Sequence, residues 1–451
     1  MIKNISKNLF FIKNIRHNST IIPWKKQLNI TAYNIIGANG PYIYTNNGNS
    51  NSNDNGKIID FTSGAMVVNL GHNNKYIQDG FNNHIKDGIA YVPSNFNNNE
   101  KTLLSDRLLN IANFDNGKVF YSNAGGDANE IACFLTQEYH SFNNPTKDTK
   151  KIRILSFENS FHGGSTIGAS LLSGDKRCVN KEKYYNMPLE SIMKNPSLND
   201  NGDESLEHIK QLFLKDDISA IIVEGSSGSA GCILYPDNYL KKLEKMCKDN
   251  DILLICDEVM SGFGRTGTFF AHTKHNITPD IITCAKGITS GYIQLGAVLL
   301  NNNISRVFDN NSIMCGLTYS GHPLACNIAN RCLDLYLEND MEIIKNVNVK
   351  SDIMRNYCLS LVEKHKCIKE YRNNGLLGCF DLNITDEITL NIIDNMLLEN
   401  GIYCMRIRNN LFTAPPLNID NNIIKDGIDK IDNIMRLTDY TNNYNYNYKY
   451  N

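Results

Sequence analysis

No acidic residue occurs before Asp54. The opening segment is therefore purely basic: Lys3, Lys7, Lys13 and Arg16 interleave with Ile5, Leu9 and Ile12, which fall at helical spacing. A basic, amphipathic, acid-free N-terminus predicts a mitochondrial transit peptide, assigned to residues 1–20, and a matrix location. Long apolar runs are also missing. None approaches the ~18 residues of a membrane span, so no membrane association is expected. A basic excess is missing too: the formal net charge is −2, which argues against nucleic acid as a partner. The 13 cysteines include no Cys-x-x-Cys pair. A disulfide framework or zinc site is not expected, no metal is assigned, and a reducing compartment fits. Tryptophan occurs once, at Trp24.

What is present is an alternation of short apolar runs and amphipathic helices. Lys118–Ser122, Lys151–Phe157, Ser219–Glu224, Ile252–Asp257, Ile281–Cys284 and Gly296–Leu300 read as strands. Asn99–Ile111, Ile131–His140, Ser205–Leu214 and Pro236–Asp249 carry helical spacing. This order predicts an α/β fold with a doubly wound, mostly parallel sheet. Residues 76–330 are assigned to that large domain. A smaller α+β domain is expected from both chain ends, residues 21–75 and 331–438, followed by an Asn/Tyr-rich tail at 439–451.

Two of the apolar runs stop on a charge, at Asp257 and at Lys286 just past Ile281–Cys284. In open α/β sheets ligands bind beyond the carboxyl ends of the strands, so the acid and the amine should face one crevice. The pair suits pyridoxal 5'-phosphate, which uses a lysine Schiff base and a carboxylate on its pyridine nitrogen. A buried Asp–Lys ion pair is the plain alternative. Glu258 should point to the opposite side of the sheet from Asp257. Gly125 and Gly126 lie between a strand and a helix, where backbone N–H groups can approach a phosphate. Phe161 follows another strand and can stack on a flat ring. His162 beside it reads as a structural hydrogen-bonding group. Arg265, in Gly262-Phe-Gly-Arg-Thr-Gly267, is expected in an ion pair. The chain has no G-x-x-x-x-G-K-[ST] nucleotide loop.

Asp257-Glu-Val-Met-Ser-Gly-Phe-Gly-Arg-Thr-Gly267, Pro279-Asp-Ile with Ala285-Lys-Gly287, Thr318-Tyr-Ser-Gly-His-Pro-Leu-Ala325 and Ala414-Pro-Pro-Leu417 occur in this order. Together they resemble class III, ω-amino acid type aminotransferases of the fold-type I pyridoxal-phosphate superfamily, from about Pro23 to Leu437. The resemblance implies Lys286 as the Schiff-base lysine and catalytic base, and Asp257 as partner of the pyridine nitrogen. It likewise implies Val259 under the ring and Phe161 over it, Gly125 and Gly126 at the phosphate, and Glu224 in the cofactor-binding group. Thr318 is implied to reach the cofactor of a second subunit, in a homodimer with shared sites.

The motifs are most similar to β-alanine–pyruvate and taurine aminotransferases. Met260 stands where ornithine, acetylornithine and γ-aminobutyrate enzymes usually carry Gln, and Ser229 where they tend to carry an acid. The expected reaction moves an amino group from an ω-amino acid or amine to a 2-oxo acid, pyruvate or 2-oxoglutarate. Ornithine-type or alanine–glyoxylate-type transamination, a lyase or mutase reaction on the same cofactor, and a non-catalytic scaffold are the alternatives. Trp24, Arg406 and Arg408 are the substrate-binding candidates; Ile407 occupies the position where the family usually has arginine. The phosphate turn reads Ala124-Gly-Gly-Asp127 where the family usually has Ser-Gly-Ala-Glu. Gly225 replaces the usual proline after Glu224.

Overall fold

Strands that are apolar on both faces need cover on both faces, and the strands around Asp257 have it. The computed structural model describes residues 33–46, 56–93, 95–143, 151–164 and 192–448; the basic segment and Trp24 lie outside them. Strands β1 (Ile35–Asn39), β2 (Tyr42–Thr45) and β3 (Lys57–Asp60) form an antiparallel ladder. Ile43–Tyr44 and Lys57–Phe61, which the sequence suggests as two strands joined by a hairpin, correspond to its β2–β3 part, and β1 adds a further strand.

The large sheet holds β4 (Lys118–Ser122), β5 (Arg153–Phe157), β6 (Ile192–Met193), β7 (Ile218–Glu224), β8 (Leu253–Asp257), β9 (Ile281–Cys284) and β10 (Gly296–Leu300). Their spatial order is β4-β10-β9-β8-β7-β5-β6. Neighbours from β9 to β6 pair in parallel, and only β10 runs antiparallel to β4 and β9. The sheet is thus mostly parallel, as the alternation of elements implied.

Every residue of β7, β8, β9 and β10 is buried. Alternate residues serve alternate faces. Ile221, Val223, Leu254 and Cys256 pack on one side with Leu206, Ile209, Leu240 and Leu243, from helices Asp203–Phe213 and Tyr239–Asp249. Ala220, Ile222, Leu253 and Ile255 pack on the other with Ala128, Ile131 and Leu135, from helix Gly125–Asn143.

The C-terminal strands β11 (Ile368–Asn374), β12 (Leu377–Leu382), β14 (Arg406–Ile407) and β15 (Asn410–Thr413) form an antiparallel sheet of order β11-β12-β15-β14. Between them, β13 (Ile402–Tyr403) instead pairs in parallel with β3. Helix Pro323–Lys364 is broken at Glu338–Met341, where Asn339, Asp340 and Met341 have positive φ. The last helix, Asn421–Tyr448, runs on into the Asn/Tyr-rich segment.

Arg265 corrects one expectation. It is fully buried, and its guanidinium donates to the carbonyl oxygens of Leu376 (3.1 Å) and Pro415, to Asn69 Oδ1 (2.7 Å) and to Ser63 Oγ (3.3 Å). Its hydrogen-bond acceptors are thus neutral oxygens, and burial lowers its pKa to about 10. The glycine-rich turn delivers Arg265 into a seam between the N-terminal and C-terminal segments, where free carbonyls are the available acceptors.

Candidate active site

Parallel register aligns Glu224 with Asp257 and Asp257 with Thr283. Period-2 alternation then puts all three on the face that packs helix Gly125–Asn143, because they continue the series Ala220–Ile222, Leu253–Ile255 and Ile281. Glu258 falls on the other face, as expected. Its carboxylate accepts from Ser261 Oγ (2.6 Å), the N–H groups of Ala271 (3.0 Å) and His272 (2.8 Å), and approaches His272 Nδ1 (2.8 Å).

Asp257 is buried and held at three points. Its Oδ1 accepts from Val259 N–H at 2.9 Å, and its Oδ2 accepts from Asn129 Nδ2 at 2.7 Å and meets His162 Nδ1 at 2.8 Å. Asn129 is itself clamped: Thr283 Oγ1 donates to its Oδ1 at 2.6 Å, and its amide also donates to His162 O at 2.8 Å. Sequence reading missed Asn129. A polar residue on the buried stripe Ala128, Ile131, Ala132, Leu135 was the available signal.

Lys286 follows β9 after one residue and opens a short 3₁₀ turn, Lys286–Ile288. Its φ of 46° lies in the left-handed region, which a non-glycine residue adopts at a cost and which clusters at functional sites. Helix Gly125–Asn143 begins at the glycine pair itself, earlier than the expected Ile131. First-turn N–H groups have no intrahelical acceptor, so glycine is tolerated there and the donors stay available. A Cβ at Gly125 would meet Val259 Cγ1 at 2.6 Å, so glycine is required for this close approach.

A cavity of about 480 Å³ collects Gly125, Gly126, Asn129, Phe161, His162, Glu224, Asp257, Val259, Met260 and Lys286 on its wall. Residues from strand-ends and turns more than a hundred positions apart thus meet. Glu224 is buried, and burial raises its carboxyl above the usual carboxylate range, partly offset by His162 and Ser229. Ser229 N–H donates to Glu224 Oε2 at 3.0 Å, and Ser229 Oγ bonds Oε1.

The other candidates lie elsewhere. Thr318 is exposed, its carbonyl accepting from Tyr91 Oη at 3.0 Å. Arg406 is absent from the cavity wall: its Nε and Nη2 hold Asp394 at 2.9–3.1 Å, and Nη2 also meets Asn391 at 3.1 Å. Arg408, with a φ of 56°, donates to Asn159 Oδ1 at 2.9 Å, two residues before Phe161. The sequence could not tell these two arginines apart, because their partners Asp394 and Asn159 come from different parts of the chain.

The residues present fit pyridoxal phosphate. The glycine cradle leaves room and donors for a phosphate, Asp257 is a rigid buried carboxylate, Phe161 offers a ring face, and Lys286 is an amine on the same wall. When bound, the cofactor supplies a carbonyl carbon that accepts an amino group and a ring that draws electrons from the substrate.

Comparison with known proteins agrees with this geometry. The family model "Aminotransferase class-III" matches residues 25–435. An adenosylmethionine-8-amino-7-oxononanoate aminotransferase from Helicobacter pylori is 31% identical over 424 residues, covering 91% of each chain. An acetylornithine aminotransferase from Caldanaerobacter subterraneus is 30% identical over 428 residues, covering 92% of this chain and 99% of its own. The solved structure of a taurine:2-oxoglutarate aminotransferase from Bifidobacterium kashiwanohense, in complex with PLP and glutamate, superposes with a TM-score of 0.83 at 29% identity. It covers 93% of this chain and 96% of its own. With a family model spanning nearly the whole chain and a lysine–carboxylate cavity to match it, this protein belongs to the class-III aminotransferases, enzymes that work with pyridoxal phosphate.

Proposed function

We propose that the chain transfers the amino group of an ω-amino acid or related amine, with β-alanine and taurine as the type donors, to a 2-oxo acid, pyruvate or 2-oxoglutarate. The observation that carries this reading is the charge of the cavity wall. Among the described residues its carboxylates are Glu224 and Asp257 and its strong cation is Lys286; Val67, Val259, Met260, Ile293 and Leu295 make much of the rest apolar. A donor with one amine and one acid group asks for little additional charge. Arg408, beside the loop that carries Phe161, is the candidate receptor for that acid group.

In this reading Lys286 Nζ moves the proton at the substrate carbon that bears the amine, which requires a base held close to that carbon. Asp257 keeps a proton on the pyridine nitrogen, and the Asn129–Thr283 clamp prevents it from turning away. Asp257 and Glu224 are buried, which strengthens the charge interactions they make.

A homodimer is part of the proposal. Tyr91 and Tyr319 are both exposed and meet edge-on beside Thr318, with Met314 exposed in the same loop; a partner subunit would cover such a patch. The acid-free N-terminus supports a matrix location.

The deciding experiment follows half-reactions with β-alanine, taurine, acetylornithine and 8-amino-7-oxononanoate, each paired with suitable partners. Oxo-acid product from β-alanine or taurine supports the reading. Turnover confined to acetylornithine or to 8-amino-7-oxononanoate would replace it with the activity of that relative. Release of carbon dioxide or phosphate without oxo-acid product would make the chain a lyase. Light scattering of the purified protein tests the dimer, with a fully active monomer as the contrary result. A reporter carrying residues 1–25 tests targeting; cytosolic fluorescence would sink it.

A further inference from the structure

Phe161 lines the cavity, and its backbone N–H donates to Ser229 Oγ at 3.0 Å. Ser229 Oγ in turn bonds Glu224 Oε1, while Ser229 N–H donates to Glu224 Oε2 at 3.0 Å. Ser229 and Glu224 are both buried. A hydroxyl has one hydrogen and two lone pairs. With the hydrogen committed to the Glu224 carboxylate, the lone pairs are directed at the Phe161 amide. Glu224 is anchored at the end of β7, where its carbonyl also accepts from Tyr235 Oη at 3.0 Å. A chain of bonds thus runs from a rigid central strand to the backbone of the aromatic residue.

We propose that Glu224 and Ser229 are positioning residues that set the Phe161 ring against the cofactor seat, and that Glu224 acts on the cofactor through this relay. The inference rests on the cofactor seat described above. Stacking depends on offset and tilt, so a ring on an unsupported loop would lose part of its contribution. Support of the site by buried partners keeps such geometry. The relay also gives Ser229 a task that a carboxylate at the same position could not perform, since a carboxylate offers no hydrogen to Glu224 and would repel it.

The test is a double-mutant cycle on cofactor affinity, read by titrating apoprotein with pyridoxal phosphate and following the visible absorbance of the bound form. Ser229→Ala should weaken binding about tenfold, the size of one buried hydrogen bond lost with its partner left unpaired. In a Phe161→Ala background the same substitution should change affinity by less than about twofold, because residues that act through one another are not additive. Ser229→Thr, which keeps the hydroxyl, should restore most of the loss. Glu224→Gln, which offers one oxygen acceptor in place of two, gives a second arm with a smaller loss that also disappears without Phe161. Equal losses in both backgrounds, or none in either, would overturn the relay while leaving the cofactor seat intact. A wild-type chain that takes up no cofactor would overturn the seat and the relay together.

Discussion

Two adjacent carboxylates at the end of β8 have opposite fates. Asp257 and Glu258 are both buried, and each is held by several donors. Glu258 is enclosed by a serine, two backbone N–H groups and a histidine, and Gly225 lies against it. That environment resembles a structural clamp. Asp257 opens onto the cavity, and the donors around it fix its direction. One residue of offset in a strand, which inverts the face, separates a group enclosed by the fold from one that faces the cavity.

The largest effect that could break this contrast lies at Lys286, on the same cavity wall as Asp257. Lys286→Ala should lower the transamination rate by up to about 10⁴-fold in a product assay. Residual turnover within tenfold of wild type would mean that the cavity is not the reaction centre. Next come paired variants of the two acids. Asp257→Asn should reduce kcat per folded molecule by about 10²–10³-fold, beyond any loss of stability. Glu258→Gln should instead lower stability by about 1–3 kcal/mol in denaturant titration, with activity per folded molecule within about twofold. Exchange of these two outcomes would reverse the assignment.

A smaller effect sharpens the Glu258 side. A Cβ at Gly225 would sit 2.4 Å from Glu258 Oε1, so Gly225→Ala should cost about 1–3 kcal/mol by overpacking. A neutral or stabilising result would show that the Glu258 carboxylate moves freely. The smallest effect concerns the cavity side. Burial raises the folded-state pKa of Glu224 above its ordinary 4.5. Its favourable contribution is then full below pH 4.5 and is lost as pH rises through the raised value. Glu224→Gln removes that dependence, so the melting temperature of the variant should gain on wild type as pH rises from 4.5 to neutrality. A difference independent of pH across that window would contradict the buried, shifted carboxyl.

Much of the site was legible because its principal residues end apolar strands. Asp257 and Lys286 close runs that a buried parallel sheet requires, and Gly125-Gly126 sits at a strand-to-helix junction. Phe161 follows the end of β5 after three intervening residues. What was not legible depends on contacts between distant segments. Asn129 reaches Asp257, 128 positions away, and Thr283, 154 positions away. Arg265 finds its acceptors near Leu376 and Pro415, so its expected ion pair gave way to carbonyls. Arg406 carries a charge like that of Arg408, and only the position of Asp394 commits it to a different part of the molecule.

Periodicity and charge placement in the sequence alone determined the α/β class, the strand-ends that border the cavity and the opposite faces of Asp257 and Glu258. These follow from local rules, because strand alternation depends on neighbouring residues. Tertiary structure decided what surrounds the residues at the site: Asn129 and Thr283 behind Asp257, Ser229 and Glu224 behind the Phe161 backbone, and Gly225 against Glu258. Hydrogen bonds act over about 3 Å, and only the folded chain brings such partners that close.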